Sequence, residues 1–540
     1  MNIASAKRFL QSRYFLAVIA GLMLAVSFPK FSVAGFAWIA HGLILFCGIG
    51  KTSRQQYWIG YVAGLAHYLT SLYWLLFIPF PAGAVAGWLA LSAYLALYPA
   101  IWVWLCWRLF RRIAGGNEPK TFLETTWRQR SIWAISCAVI WVAMEMTFAR
   151  MFTGFPWNFV GVSQYKIVPL LQIASITGVY GISFLLVWFA VSLGSAGVLL
   201  IQRPQRRAWS GEILLPALVA ASIFAFGAKR LSVESSDQPK LKVALIQPSI
   251  PQTLIFDSSQ DETRFEKIME LSERALEEKP NVLIWPEASM PPLDPSQYRA
   301  LTNLIVTHQV QMIVGADDAG TSSTPKGGWV TNYYNSSFHF SPEGDAVATY
   351  RKRRLVIFGE YIPLVRWFPF MKWLTPIDGG FTRGEEPVQF QLESPRAKTA
   401  VLICFEDAFP HYAREHVDTD TDFLLNLTND GWFGESAAQW QQAANALFRA
   451  IENGLPLIRC TNNGLTCWID KHGRLREFFK DETGNVYNAG FMIAEIPLQS
   501  PGEKRAPTFY RQHGDWFGWG CVAGAIGLVF VSRKKFAGAK

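Results

Sequence analysis

Long apolar segments recur through the first 231 residues of the chain, and another lies near the C-terminus. They fall near residues 14–28, 33–50, 57–79, 83–107, 131–150, 168–200, 211–228 and 514–532. Several approach the roughly 20 residues that a helix needs to cross the hydrocarbon core of a bilayer. The pattern predicts a helical membrane domain over residues 1–231 with about seven spans, and a last span within residues 509–540, giving about eight in all.

The basic residues are concentrated in alternate loops between these segments. Arg108, Arg111 and Arg112 lie in one such loop, whereas the intervening loops hold few basic residues, such as Lys30 and Arg150. Since Lys and Arg favour the cytoplasmic side, this bias predicts cytoplasmic N- and C-termini, and residues 232–508 are expected in the periplasm, outside a bacterial inner membrane. These loops also explain the net charge of +9, so nucleic acid is not an expected partner.

Residues 232–508 have the pattern of a soluble domain. An apolar run over 242–247 predicts a first strand, and helical patterns follow near 261–278 and 295–308. Strands that alternate with helices indicate an α/β domain. The polar stretch from Lys229 to Lys240 is the expected linker to the membrane domain.

Three reactive side chains of this domain lie at or near the ends of apolar runs. Glu287 ends Leu283-Ile-Trp-Pro-Glu287, Lys352 follows Tyr350-Arg351, and Cys404 ends Ala400-Val-Leu-Ile-Cys404. Each has an ordinary explanation by itself, since a lone cysteine is most often a small buried hydrophobe. Together, an acid, an amine and a thiol at strand ends are what a thiol nucleophile, its base and an oxyanion stabiliser require.

The chemistry of these groups suggests a role for each. A free thiol has a pKa near ~8.5, and a neighbouring carboxylate raises it, so Glu287 suits a general base that accepts the proton during attack. Lys352 would neutralise the oxyanion that forms at the attacked carbonyl. Glu360 is expected to hold Lys352 or to assist with the proton. Glu406 either supports the pocket or pairs with one of the arginines near Lys352.

These motifs resemble the Glu–Lys–Cys signature of the nitrilase (carbon–nitrogen hydrolase) superfamily in both order and spacing. The resemblance rests on Trp285-Pro-Glu287, Lys352 with Glu360, and Cys404-Phe-Glu406, and it covers residues from about 241 to 500. It implies the four-layer αββα sandwich of that superfamily. It also implies that Glu287, Lys352 and Cys404 are catalytic, with Glu360, Phe405 and Glu406 supporting them.

Aromatic residues cluster in two expected loops of this domain. They are Trp367, Phe368, Phe370 and Trp373 in one group, and Trp432, Phe433 and Trp440 in the other. Such residues favour the lipid headgroup interface, where one end of the side chain is apolar and the other is wet. They also suit a lid packed on the domain itself, and both interpretations stay open.

The cysteines and histidines predict neither a metal site nor a cofactor. No Cys/His spacing resembles a zinc site, and no glycine-rich phosphate loop precedes a helix. Cys460 and Cys467 flank Thr461-Asn-Asn-Gly464, where they are not expected to lie opposite each other, so both are expected to be structural and Cys404 to be free.

Nearly the whole chain resembles the apolipoprotein N-acyltransferase family. The matching motifs are Gly154-Phe-Pro-Trp157, Phe358-Gly-Glu360, Asn429-Asp-Gly-Trp-Phe-Gly434, Arg449-Ala-Ile-Glu452 and Thr461-Asn-Asn-Gly464. The resemblance implies that Cys404 takes the sn-1 acyl chain of a phospholipid, typically phosphatidylethanolamine. The thioester then acylates the α-amine of the diacylglyceryl-cysteine of an apolipoprotein, the last step of lipoprotein maturation. A monomer is expected.

Three positions depart from the family pattern. Phe256 and Phe405 stand where Trp and Tyr are expected, and Gln442 stands where His is expected. These departures bear on lipid preference and loop detail, not on the reaction.

Two other functions fit parts of the pattern. A membrane-anchored amidase or nitrilase would pass the acyl group to water instead of an amine. A transporter with a vestigial soluble domain would need ionisable residues along its spans, and Glu145 is the clear candidate.

Overall fold

The computed structural model of the chain describes residues 12–115, 121–202, 210–232, 238–255, 257–291, 294–323, 328–365, 367–375, 380–500 and 505–537. The chain forms two compact units. The first comprises Met1–Tyr73, Gly87–Val233 and Gln512–Lys540, and the second comprises Trp74–Ala86 and Glu234–Arg511.

The described helices are α1 (Arg13–Val26), α2 (Ala37–Cys47), α3 (Ser53–Ser71), α4 (Pro81–Ala114), α5 (Trp127–Phe148), α6 (Val168–Leu171), α7 (Ala174–Thr177), α8 (Val179–Gln202), α9 (Ser210–Leu231), α10 (Gln252–Ile255), α11 (Asp261–Leu276), α12 (Pro295–His308), α13 (Pro410–Glu415), α14 (Ala438–Asn453), α15 (Phe509–His513) and α16 (Trp516–Ala537). The local sequence explains where several of these helices begin. Thr52 and Thr126 cap α3 and α5, each in a reciprocal capping box with the glutamine three residues later.

The first unit is helical. In the described residues, four helices are long and apolar enough to cross a membrane: Pro81–Ala114, Trp127–Phe148, Val179–Gln202 and Gly211–Leu231. Shorter apolar helices occupy Arg13–Val26, Ala34–Cys47, Val168–Thr177 and Trp516–Phe530. The helical N-terminal domain is therefore confirmed, and the eight spans expected from the sequence are not.

Two physical features explain why fewer long helices are observed than the eight spans expected from the sequence. α1 and α2 have 14 and 11 residues, which at about 1.5 Å per residue fall short of a hydrocarbon core about 30 Å thick. The apolar segment over 168–200 is not one helix. Gly178, with a φ of 65°, interrupts it between α7 and α8.

Glu145 lies on α5 with its side chain fully buried. Its Oε1 accepts hydrogen bonds from Trp141 Nε1 at 3.0 Å and from the backbone N–H of Val160 at 2.8 Å. Its Oε1 therefore acts as a structural acceptor within the helical unit.

The strands all lie in the second unit. They are β1 (Lys240–Gln247), β2 (Val282–Ile284), β3 (Gln311–Ser323), β4 (Trp329–Phe340), β5 (Ala346–Arg351), β6 (Gln389–Glu393), β7 (Arg396–Ile403), β8 (Phe423–Thr428), β9 (Leu457–Thr461), β10 (Cys467–Ile469), β11 (Leu475–Phe478) and β12 (Gly490–Pro497). As described, they form two six-stranded sheets, with orders β12-β1-β2-β3-β4-β5 and β11-β10-β9-β8-β7-β6.

The two sheets pack face to face and helices cover their outer faces. Leu245 and Ile284 of one sheet join Val401 and Leu425 of the other in a buried core. A second core packs α11 and α12 on the outside of the first sheet, and α14 lies against β9 of the other. The α/β sandwich expected from the sequence is confirmed, and its layers run helix, sheet, sheet, helix.

Parallel strands at the centre of both sheets position the polar residues that follow them. β1, β2 and β3 run parallel, as do β7, β8 and β9. Glu287 comes three residues after β2, whereas Cys404 and Asn429 come directly after β7 and β8. Because parallel strands end at the same edge of a sheet, this topology gathers their following residues at one end.

Candidate active site

Cys404 directly follows β7 in a tight turn and is the first residue of the 3₁₀ helix Cys404–Ala408. Its φ of 52° lies in the left-handed region, which a non-glycine residue seldom adopts. The Asn426 side-chain amide donates a hydrogen bond to the Cys404 carbonyl oxygen at 2.9 Å. The residue as a whole is partly exposed, while its neighbours on β7 are buried, so the turn places Cys404 at the end of a buried strand.

Glu406 is fully buried and ties this turn to the segment around Lys352. Its Oε2 accepts the backbone N–H of Ile403 at 2.8 Å, and its Oε1 accepts those of Arg353 and Arg354, both at 2.9 Å. The Tyr350 hydroxyl donates to the same carboxylate. These contacts favour a role for Glu406 in supporting the pocket over an ion pair with an arginine, because Arg353 and Arg354 contact it through their backbone N–H groups.

Lys352 lies directly after β5, between two acids. Its Nζ is 3.0 Å from Glu287 Oε1 and 2.8 Å from Glu360 Oε1, and all three side chains are buried. The backbone N–H of Val356 donates to Glu360 Oε2 at 2.8 Å, which fixes the second acid. The structure thus brings together Glu287, Lys352 and Glu360 as one hydrogen-bonded cluster.

Two asparagines, whose roles were not predicted from the sequence, complete the cluster. Asn335 Nδ2 donates to Glu287 Oε1 at 2.7 Å and to Glu360 Oε1 at 2.9 Å. The backbone N–H of Asn429 donates to Glu287 Oε2 at 2.9 Å. Asn429 is the first residue of a motif that resembles the family pattern, and this motif could have identified it from the sequence. Asn335 lies inside a strand without any such motif.

The electrostatics link Cys404 to this cluster. Burial and the nearby Glu287 carboxylate raise the pKa of the Cys404 thiol well above its usual range, while Lys352 and a hydrogen bond with Thr428 oppose the shift. Burial lowers the pKa of Lys352, but Glu287 and Glu360 outweigh it and raise that pKa well above its ordinary value. At neutral pH the site therefore holds a protonated thiol and a fixed positive charge.

Burial raises the pKa of the Glu287 carboxyl, although the Lys352 ammonium opposes that effect. A carboxylate with a raised pKa is a stronger base than a solvated one, and its charge keeps the thiol from ionising in advance. The arrangement can remove the thiol proton as attack occurs and can stabilise an oxyanion beside Lys352.

The aromatic residues that were expected in loops of this domain fall into two groups. Trp367 and Trp373 are exposed by 78% and 81%, and Phe368 and Phe370 lie between them on the same exposed loop. In contrast, Phe433 contacts Trp74 edge-to-face with ring centroids 4.6 Å apart, and Trp440 contacts Phe478 at 5.8 Å. Trp432 is partly buried next to Phe433. The group of Trp432, Phe433 and Trp440 therefore packs on the domain, whereas the group from Trp367 to Trp373 is exposed.

Two departures from the expected family pattern lie close to the nucleophile. Phe405 is partly buried and packs edge-to-face on Phe409, with ring centroids 5.0 Å apart. Gln442 Nε2 lies 3.4 Å from Asp407 Oδ1 and 3.5 Å from Thr428 Oγ1. Both side chains therefore have packing or hydrogen-bond partners around the turn that contains Cys404. The third departure, Phe256, lies outside the described residues.

The remaining cysteines of the domain are part of its core. Cys460 Sγ lies 3.4 Å from the carbonyl oxygens of Ile246 and Ile284, between the two sheets, and Cys467 is buried nearby on β10. Both are free thiols. Among the described residues, no group of three or more His, Cys, Asp or Glu is arranged to hold a metal ion.

Comparison with known proteins matches both parts of the chain. The family model described as apolipoprotein N-acyltransferase N-terminal domain matches residues 20–192, and the carbon–nitrogen hydrolase model matches residues 242–505. An apolipoprotein N-acyltransferase of Geobacter metallireducens is 35% identical and covers 97% of this chain and 95% of its own. One of Rickettsia prowazekii is 27% identical and covers 96% and 95%.

Among solved structures, an amidase from Nesterenkonia sp. aligns with a TM-score of 0.35 and 16% identity. The alignment covers 49% of this chain and 94% of the amidase.

Proposed function

The chain belongs to the apolipoprotein N-acyltransferase family, and we propose that Cys404 carries the acyl chain of a phospholipid to the α-amine of an apolipoprotein's diacylglyceryl-cysteine. The observation that carries the proposal is the cluster of Glu287, Lys352 and Glu360, whose charges act on the Cys404 thiol. A thiol, a base and an oxyanion stabiliser are sufficient for acyl transfer through a thioester. No cofactor is needed.

In the first half-reaction, the sulfur of Cys404 attacks the sn-1 carbonyl carbon of the donor. Glu287 accepts the thiol proton, and Lys352 stabilises the negative charge that forms on the carbonyl oxygen. As the tetrahedral adduct collapses, the C–O bond of the ester breaks and Glu287 returns the proton to the leaving oxygen. The products are a thioester on Cys404 and a lysophospholipid.

In the second half-reaction, the neutral α-amine of the acceptor attacks the thioester carbon, the C–N bond forms and the C–S bond breaks. The same Lys352 stabilises the second oxyanion, and Glu287 takes a proton from the attacking nitrogen and passes it to the leaving sulfur. Because one thiol serves both half-reactions, the lysophospholipid leaves before the acceptor reacts. Glu360, Phe405 and Glu406 hold the reacting groups in place in this scheme.

The membrane half explains why the substrates are lipids. The chain is a membrane protein with several candidate spans. We extend this to about eight spans by counting the four shorter apolar helices of the described residues with the four long ones. The membrane domain then covers residues 1–231, a periplasmic catalytic domain covers 232–508, and a C-terminal span with a cytoplasmic tail lies within 509–540. A monomer suffices, since one chain supplies every group used. Labelling of Cys404 by a membrane-impermeant maleimide in intact spheroplasts tests the orientation, and protection of Cys404 until lysis would contradict it.

The exposed loop that carries Trp367, Phe368, Phe370 and Trp373 is proposed to contact phospholipid. Burying such side chains in an interface contributes up to about 1.5–3 kcal/mol each. Replacing Trp367 and Trp373 together with Ala is therefore expected to raise the KM for phospholipid vesicles at least about tenfold while kcat changes little. The control is Trp329→Ala, which removes a tryptophan of similar exposure, 76%, outside the loop. An equal effect of both variants would argue against a role specific to the loop.

Intact mass spectrometry tests the proposed function directly. After incubation with phosphatidylethanolamine, the protein is expected to gain the mass of one fatty-acyl group, and hydroxylamine should remove it. Adding a diacylglyceryl-cysteinyl peptide should transfer that group to the peptide as an amide. Release of free fatty acid with no amide would indicate the hydrolase instead, and acyl transfer by a protein that never gains the mass would exclude the thioester.

A further inference from the structure

Asp317 lies on β3 at the edge of the cluster formed by Glu287, Lys352 and Glu360. Its direct cross-strand partner on β4 is Asn335, the residue that donates hydrogen bonds to both acids. Side chains alternate along a strand, and Ile313, four residues earlier on β3, belongs to the core between the sheets. Asp317 therefore faces the same side as Ile313, which is the side of the catalytic cluster.

Two hydrogen-bond acceptors lie side by side at this position. Neither Asp317 Oδ1 nor Asn335 Oδ1 has a hydrogen-bond partner within the described part of the chain, and both atoms are buried. Asn335 is only 4% exposed, and its Nδ2 is already committed to the two acids. A primary ammonium, which carries three N–H donors, is the kind of group that two adjacent acceptors satisfy.

The charges around Asp317 favour a carboxyl group that exchanges protons near neutral pH. Burial, with the negative charges of Glu287 and Glu360, raises the pKa of Asp317 to about 7, and Arg264 opposes the shift. The next residue, Asp318, points to the opposite face and pairs with Arg351 at 2.6 Å. Asp317 is thus the base on this strand that is not committed to an arginine.

The two half-reactions differ in the number of protons that must move. Attack by Cys404 releases one proton, which Glu287 transfers from sulfur to the leaving oxygen. An acceptor α-ammonium carries two protons more than the amide product has, whereas the leaving sulfur takes only one. Glu287 can handle that one, so the second half-reaction needs another acceptor for the other.

We propose that Asp317 is a further catalytic residue, which binds the α-ammonium of the acceptor and accepts its first proton. This role rests on the proposed function. The ammonium gives one proton to the Asp317 carboxylate, leaving a neutral amine whose lone pair forms the C–N bond. Glu287 takes the second proton as that bond forms, the C–S bond breaks, and Glu287 protonates the departing sulfur. Asp317 then releases its proton to solvent, which balances the reaction.

The test separates the two half-reactions in Asp317→Asn. Protein and phosphatidylethanolamine are mixed first to measure thioester formation, and a diacylglyceryl-cysteinyl peptide is then added to measure amide formation. Thioester formation is expected to stay within about twofold of wild type. Without Asp317, only amine that is already neutral reacts. Since the pKa of an α-amine is about 7.7–8.0, amide formation should fall about tenfold at pH 7 and recover at pH 9.

Asp318→Asn is the matched control, because it makes the same change one residue away on the opposite face of the strand. It should leave both half-reactions unchanged. Normal amide formation by Asp317→Asn at pH 7, or a loss that persists at pH 9, would overturn the proposal. Slower thioester formation from phosphatidylethanolamine but not from phosphatidylglycerol would instead assign Asp317 to the donor's headgroup ammonium. Failure of the proposed function itself would be visible in the wild type, which would form neither thioester nor amide.

Discussion

Cys404→Ala is expected to abolish acyl transfer and leave the fold intact. The substitution removes one sulfur atom and no charge. The Thr428 hydroxyl loses its hydrogen bond with the thiol but keeps its contact with Gln442 Nε2 at 3.5 Å. The reaction loses its nucleophile, and removing the nucleophile of a comparable triad costs about 10⁶-fold in kcat. The measurement is intact mass with and without phosphatidylethanolamine, with a thermal melt to verify folding.

Two further variants make this result specific. Cys404→Ser keeps the shape of the side chain but replaces the thiol with a weaker nucleophile. It should accumulate little or no acylated protein. Cys460→Ala removes a thiol that is buried between the sheets, away from the cluster. It should lower stability by the cost of a small cavity and still gain the acyl mass. A hydroxylamine-labile adduct on Cys404→Ala would place the nucleophile elsewhere.

Glu287→Gln should slow thioester formation by about 10² to 10⁴-fold, the usual contribution of a general base. Glutamine keeps the size of the side chain and an acceptor for the backbone N–H of Asn429, but it cannot take the thiol proton. The expected effect is on the rate of the first half-reaction at saturating donor. Single-turnover mass spectrometry measures it.

The pH dependence of this variant provides a second readout. A base works only when deprotonated, so wild-type thioester formation should rise with pH through the raised pKa of Glu287. The variant should lose that rise. Glu495→Gln is a suitable control, since Glu495 forms an exposed ion pair with Lys240, and it should leave the profile unchanged. A variant at position 287 with a normal rate and profile would exclude Glu287 as the base.

The sequence predicted the main features of the catalytic domain because they depend on short motifs. Glu287 and Cys404 follow apolar runs, and such runs form buried parallel strands whose ends meet at one edge of a sheet. Lys352 and Glu360 are eight residues apart and meet across a tight turn, in which Val356 donates a backbone hydrogen bond to Glu360. The order and spacing of these residues, read through the family resemblance that they carry, therefore predicted that they lie together.

Other parts of the site depend on strand register, which short motifs do not determine. Asn335 contacts Glu287 and Glu360 only because β4 pairs with β3 and β5 in one particular alignment. Glu406 binds backbone N–H groups, which any residue type would supply, so the identity of Arg353 and Arg354 suggested the wrong kind of partner. The helical half shows a similar limit, since Gly178 separates α8 from the two short helices that precede it in the same apolar segment.

The position of Glu406 has a consequence for engineering. One carboxylate connects the residue before the nucleophile, Ile403, with the two residues after Lys352. A change that shifts either segment transmits strain to the other, so redesign beside Cys404 would disturb the nucleophile and its counter-charge at once. Changes in the loop from Trp367 to Trp373, which lies outside this anchor, should leave the nucleophile and its counter-charge in place.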